Sequence, residues 1–139
     1  MQGDVYGSIL YGVDMMPLAE KMRAAVPQAL QPWFADDSSG TREAVHVAAV
    51  FKSLQLHGPR YGYFPSTSKS FYICKREDEP LARAAFEAEG IDDINYVRGK
   101  GYLGGFLGSA ATKSEWISCK NCSEISSSRL HWLLLLSSK

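Results

Sequence analysis

Stretches with the apolar spacing of helices alternate along this chain with short apolar and aromatic runs, and this alternation restricts the possible folds most. Helical spacing predicts helices at residues 6–23, 41–57 and 80–89. Pro17 lies inside the first of these, and we expect it to kink or divide that helix. The chain has 139 residues, an ordinary length for one domain.

Short runs rich in aromatic residues predict the strands. Residues 29–35 and 69–74 have this composition, and Pro32 is expected to place the first strand at an edge. Gly99-Lys100-Gly101 separates two further runs at the spacing of a β-hairpin. The order helix, strand, helix, strand, helix, hairpin predicts an α+β fold with helices on one face of a small sheet.

The composition changes near residue 113. Residues 114–139 contain many serines, two of the three cysteines and the run Leu133-Leu134-Leu135-Leu136, without helical or strand periodicity. We therefore expect a folded domain at residues 1–113 and an unstructured tail at residues 114–139. Cys119 and Cys122 have the spacing of half a zinc site, but no second pair accompanies them, and we interpret the spacing as coincidence.

Charge and cysteine number bear on nucleic-acid binding and on the cellular compartment. Lysine and arginine number 15, as do aspartate and glutamate, so the net charge of 0 does not indicate binding by bulk phosphate neutralisation. Any nucleic-acid contact must come from a local site. Three cysteines are typical of a reducing intracellular compartment, and no signal peptide or membrane-spanning run is visible. The sequence leaves nucleus and cytoplasm open.

Asp36 and Asp37 are the candidate metal ligands. They follow an apolar run and open the turn-like cluster of residues 36–40. Carboxylates held together at a turn are the hard oxygen ligands that suit Mg²⁺. The alternative is an exposed turn without function, because aspartate and serine side chains also satisfy turn backbone.

Four ordered stretches together resemble the palm of reverse transcriptases of the non-LTR retrotransposon lineage. They are similar to motifs B, C, D and E of that family, and the resemblance covers residues 1–113. The stretches are Gln2-Gly3-Asp4, Phe34-Ala35-Asp36-Asp37, Gly62-Tyr63-Phe64-Pro65 with Lys69-Ser70, and Tyr102-Leu103-Gly104-Gly105. The resemblance implies a partial polymerase palm, with a small antiparallel sheet, helices on one face and a C-terminal hairpin.

The family's activity, RNA-directed DNA synthesis by two-metal nucleotidyl transfer, implies a role for each motif. Asp36, with Asp37 beside it, would bind Mg²⁺. Gln2, Gly3 and Asp4 would lie against template and nucleotide. Lys69 would approach the pyrophosphate leaving group as a mobile positive charge.

The hairpin at the last motif would act as a primer grip, formed by Tyr102, Leu103, Gly104 and Gly105. The implied partners are an RNA template, a DNA primer and deoxynucleoside triphosphates, and no membrane. The implied cofactor is Mg²⁺.

The chain departs from the family in what accompanies these motifs. The sequence holds no counterpart of the upstream motif A carboxylate, the fingers or the thumb, and Val5 stands where motif B commonly has proline. We therefore expect little or no polymerase activity from these residues alone. Two alternatives stay open: a non-catalytic remnant palm that serves as a binding module, and an unrelated small α+β binding domain.

Overall fold

The computed structural model describes residues 5–34, 37–102, 105–108 and 133–137. Helix α1 spans Val5–Ala25, α2 spans Ala44–His57 and α3 spans Glu79–Ala88. Two short 3₁₀ turns, Gly58–Tyr61 and Thr67–Lys69, follow α2. The strands are β1 Trp33–Phe34, β2 Asp37–Gly40, β3 Phe71–Ile73, β4 Asn95–Val97, β5 Gly99–Tyr102, β6 Gly105–Gly108 and β7 Leu133–Ser137.

The strands form a five-stranded sheet in the order β1-β2-β7-β3-β4 and a separate β5–β6 hairpin. The predicted α+β class and C-terminal hairpin are confirmed. The main sheet is mixed, however, because β3 and β4 pair in parallel while its other pairs are antiparallel. Helix α3 connects β3 to β4, and a helical crossover of this kind returns the chain to a parallel neighbour.

The first helix runs through Pro17 as one element, so the expected division does not occur. Its buried face carries Met15, Leu18 and Met22 at intervals of three and four residues. That face packs into the main core, which also takes in α2, α3 and one face of β3. Burial of this apolar stripe stabilises the helix despite the hydrogen bond that a proline cannot donate.

Three segments differ from the sequence predictions. Residues 37–40, predicted as part of a turn, form β2. Gly99-Lys100-Gly101, predicted as the hairpin turn, lies in β5, and the pair Tyr102↔Gly105 closes the hairpin around residues 103 and 104 instead. Residues 133–137, predicted as unstructured, form β7 at the centre of the sheet, whereas the other residues of the tail lie outside the described part.

Successive residues of β3 point to opposite faces of the sheet. Tyr72 is fully buried and meets the Phe86 ring of α3 edge to face at 5.2 Å between centroids. Phe71 and Ile73 face the other way and pack with Tyr102 and other residues of the hairpin region. At β3 and β4 the sheet is thus covered by the main core on one face and by the β5–β6 hairpin on the other.

Candidate functional site

The β1–β2 hairpin positions the two candidate carboxylates. Trp33 pairs with Ser38 and Phe34 with Asp37, so that only residues 35 and 36 connect the strands. This is the shortest common hairpin connection. Asp37 is the first residue of β2, while Asp36 lies outside the described residues.

Backbone pairing continues beyond the hairpin and anchors its base. Leu30 and Thr41 exchange two backbone hydrogen bonds, of 3.2 and 2.9 Å. The carbonyl of Pro32 accepts hydrogen bonds from the backbone N–H of Ser39 at 3.0 Å and from the Ser39 hydroxyl at 3.2 Å. Proline lacks an N–H donor, but its carbonyl still secures this irregular part of the ladder.

Gln31 ties the hairpin to the end of α1. Its side chain is buried, and Nε2 donates to the carbonyls of Met22 at 3.2 Å and Val26 at 3.1 Å. These carbonyls lie at the C-terminal end of the helix, where intrahelical partners run out. The side chain of Gln31 therefore fixes the hairpin relative to the helix that follows Gln2, Gly3 and Asp4, three candidate residues that lie outside the described part.

Tyr63, in the loop that resembles motif D, packs against the hairpin. Its side chain is fully buried, and its ring lies 5.7 Å from that of Trp33 between centroids. The hydroxyl groups of Tyr63 and Ser38 form a hydrogen bond of 3.0 Å. No local signal in the sequence marks Ser38 for this contact, because a serine next to two aspartates is typical of a turn.

Two glycines shape the loop that carries Tyr63. Gly62 has φ 74°, a left-handed conformation that glycine adopts without strain. The backbone N–H of Tyr63 donates to the carbonyl of Gly58 at 3.0 Å, and a Cβ at Gly58 would collide with the Tyr63 carbonyl. Both glycines are therefore needed to turn the Tyr63 ring toward the hairpin.

Lys69 ends the 3₁₀ turn immediately before β3 and is exposed. The turn is held by Ser70, whose hydroxyl donates to the carbonyl of Ser66 at 2.6 Å. Asn95 holds it from β4, since its side-chain amide donates to the carbonyls of Ser68 at 2.8 Å and Ser70 at 3.0 Å. Lys69 is thus exposed at an end of the sheet where hydrogen bonds from Ser70 and Asn95 hold the backbone in place.

The strand register relates Lys69 to Asp37. Ser39 in β2 and Phe71 in β3 both lie opposite Leu135 of β7, and β2 and β3 run in the same direction. Each candidate residue comes two positions before these paired residues, so both stand at the same end of the sheet. Two strand spacings separate β2 from β3, a distance of roughly 9–10 Å.

The candidate primer-grip residues are only partly described. Tyr102 is half-buried against the β3 face that carries Ile73, and Gly105 opens β6. Lys100 of the same hairpin places its ammonium 4.0 Å above the centre of the Phe71 ring, a cation–π contact. Leu103 and Gly104 lie outside the described residues.

A charged cluster lies at the other end of β3, away from the candidate residues. Arg98 donates to the carbonyl of Cys74 at 3.1 Å and to the Glu79 carboxylate, which also accepts hydrogen bonds of 2.9 and 2.7 Å from Arg83. The hydrogen bonds from Arg98 and Arg83 lower the pKa of Glu79. Burial raises the pKa of the Cys74 thiol, and the charge of Arg98 opposes that rise. This cluster joins β3, α3 and the start of β5.

Among the described residues, no group of three or more histidine, cysteine, aspartate or glutamate side chains has the arrangement of a metal site. No helix in that part of the chain has the length and apolar character needed to cross a membrane. Comparisons with protein-family models, curated proteins and solved structures found no match.

Proposed function

We propose that this chain is part of a reverse transcriptase palm of the non-LTR retrotransposon type, whose family activity is RNA-templated DNA synthesis. The main support is the β1–β2 hairpin, whose second strand begins at Asp37 and which packs against Tyr63. Trp33 and Ser38, which flank the stretch that resembles motif C, thereby contact Tyr63 in the stretch that resembles motif D. The resemblance in sequence order is thus accompanied by proximity in space.

In this proposal the acidic pair and Lys69 interact with different charged groups, the metal ion and the pyrophosphate. Asp36 and Asp37 would hold Mg²⁺, which would supply positive charge at the reacting phosphate. Lys69 approaches from the same end of the sheet and balances charge on the pyrophosphate. Template and nucleotide lie against Gln2, Gly3 and Asp4, and the primer lies against Tyr102–Gly105.

The four stretches that resemble the family's motifs supply Asp36 and Asp37 but no counterpart of the upstream motif A carboxylate. A two-metal centre needs a further carboxylate that converges on the same ions. We therefore expect the 139-residue chain alone to extend a primer weakly or not at all. The second candidate is a non-catalytic palm remnant that acts as a binding module.

A chimera tests the proposed function. Residues 1–139, which retain strand β7, replace the motif B to E segment of an active non-LTR reverse transcriptase, and Mg²⁺-dependent primer extension on an RNA template is measured. We expect activity that Asp36→Asn reduces by on the order of 100-fold or more, at least the loss from one transition-state contact. Asp14→Asn, an exposed carboxylate on α1, is the control and should leave activity unchanged.

Two outcomes would contradict the proposal: an Asp36→Asn chimera as active as its parent, or an inactive chimera that folds and binds template-primer normally. Magnesium titration of the unmodified chain by calorimetry gives an independent measurement. The proposed function predicts weak binding that Asp36→Asn removes and Asp14→Asn retains. The non-catalytic alternative predicts the same titration for all three proteins.

A further inference from the structure

Strand β7 reaches the centre of the sheet from a distant part of the chain. Residues 109–132 separate it from β6, the preceding strand. It lies between β2 and β3 and pairs antiparallel with both, with Leu135 opposite Ser39 on one side and Phe71 on the other. The sheet thus depends on a strand that is far in sequence from all of its other strands.

Without β7 the sheet would divide into two ribbons, β1–β2 and β3–β4. A two-stranded ribbon is marginally stable in water by itself. The facing edges of β2 and β3 would present unpaired backbone N–H and C=O groups, and such edges pair readily with another strand. The gap between them is therefore a slot with backbone partners on both sides.

The residues beside the slot determine what can occupy it. Ser38, Ser39 and Tyr72 are all buried, with 1%, 3% and 0% of their surfaces exposed. A strand in such a central position has little contact with water, so apolar residues are favoured there. The occupant must be an extended apolar segment of about five residues, the usual length of a short strand.

We propose that the slot between β2 and β3 accepts residues 133–137 of a second copy of this chain, which gives a strand-exchanged dimer. The pairing of β7 is the same whether the strand comes from its own chain or from another. The structure already shows this segment seated there in one register on both sides. Only the connection through residues 109–132 distinguishes the two arrangements.

Concentration decides between the monomer and the exchanged dimer. Residues 109–132 tether the segment to its own chain and hold it near the slot at an effective concentration on the order of 1 mM. The monomer therefore dominates in dilute solution, and exchange becomes favourable when refolding occurs near that concentration. In the dimer, the strand beside Asp37 belongs to the partner, because Ser137 pairs with Asp37. The proposal does not depend on the reverse transcriptase assignment.

Cross-linking between isotopically distinct copies tests this exchange. Ser39→Cys and Leu135→Cys are introduced together, since paired Cα atoms of neighbouring antiparallel strands lie about 4.5–5.5 Å apart, within disulfide range. Equal amounts of ¹⁴N and ¹⁵N protein are unfolded together, refolded at about 1 µM or about 1 mM, well below and close to the tether's effective concentration, and oxidised. Mass spectrometry of the linked peptides identifies each partner.

We expect cross-links within one isotope at the lower concentration. At the higher one we expect about a quarter of the links to be mixed, because about half of the chains exchange and half of the exchanged pairs combine the two isotopes. Links within one isotope at both concentrations would overturn the exchange. Absence of any link between positions 39 and 135 would overturn the occupancy of the slot itself.

Light scattering of the chain without engineered cysteines provides a second measurement. After refolding near 1 mM, where exchange is favoured over the tether, we expect a dimer. Leu135→Pro should abolish it, because proline is not tolerated in a strand paired on both sides. Ser126→Pro, outside β7, is the matched control and should retain the dimer. A dimer that persists in Leu135→Pro would contradict the proposal.

Discussion

The hydroxyl groups of Ser38 and Tyr63 lie 3.0 Å apart, although 25 residues separate them in the chain. Both side chains are buried, so the hydrogen bond is protected from water. It connects the strand that begins at Asp37 to the loop that precedes Lys69. The relative position of the β1–β2 hairpin and the loop of Tyr63 therefore depends on a contact between these two segments.

We expect Ser38→Ala and Tyr63→Phe each to lower the free energy of unfolding by about 1 kcal/mol, the net value of a typical buried hydrogen bond. The double variant should lose less than the sum, because both changes remove the same bond. Urea unfolding measures all three variants. Tyr61→Phe, an exposed tyrosine in the same region, should change stability by less than about 0.5 kcal/mol. Strictly additive losses would show that the two hydroxyls do not interact.

The hydrogen bonds that Glu79 accepts predict that the folded chain loses stability in acid. Hydrogen bonds from Arg98 and Arg83 lower the folded-state pKa of Glu79 below its ordinary value of 4.5. The associated stability is fully present above that ordinary value and is lost as the pH falls through the lower folded-state pKa. Glu79→Gln should therefore be less stable than the parent at pH 7, and the difference should shrink below about pH 4.5, the ordinary pKa of the group.

Chemical unfolding of both proteins between pH 7 and pH 3 measures this difference. Glu77→Gln, an exposed carboxylate two residues earlier, is the control and should remain close to the parent throughout. A stability difference for Glu79→Gln that stays constant down to pH 3 would contradict the assigned ionisation.

The thiol of Cys74 is predicted to react slowly with alkylating reagents. It is buried, and burial raises the pKa of its thiol above the ordinary 9.0, while Arg98 acts in the opposite direction. Because the thiolate is the reactive form, alkylation in the folded chain should be slower than in urea. Arg98→Gln should move the pH dependence of alkylation further upward. Peptide mass spectrometry after iodoacetamide treatment follows Cys74 individually, and equal rates in folded and unfolded chains would refute the prediction.

The two faces of α1 should respond differently to substitution. Leu18 is fully buried, and Leu18→Ala should lower the free energy of unfolding by about 2–5 kcal/mol, the range for a truncated core leucine. Val13 is 57% exposed, and Val13→Lys should change stability by less than about 0.5 kcal/mol. Thermal and urea unfolding compare the two variants. A large loss for Val13→Lys would place that face in a contact within the folded chain.

Local patterns predicted the helices well because helix formation depends on neighbouring residues. Apolar spacing of three and four residues located α1, α2 and α3 with small errors at their ends, and Gly58 and Gly90 follow the last two closely. The order of elements also indicated the α+β class. Pro17 was misjudged, because the sequence does not show that Leu18 and Met22 are buried against a core.

Strands were predicted less well because a strand is stable only with its partners. Asp37-Ser38-Ser39-Gly40 has the composition of a turn, yet the segment becomes β2 because β1 and β7 supply hydrogen bonds on its two sides. The glycines around Lys100 indicated a turn, yet pairing with β6 holds them in an extended strand. No local sequence pattern indicates which distant strand will pair with a given segment.

The sequence by itself determined the helical segments, the neutral charge and the acidic pair at the end of an apolar run. It also set the order of motifs on which the proposed function rests. Only the tertiary structure decided that β3 and β4 are parallel, that residues 133–137 fill the central slot, and that Ser38 meets Tyr63. The reason is physical: helix hydrogen bonds join residues four apart, whereas sheet hydrogen bonds and buried side-chain contacts join segments at any separation.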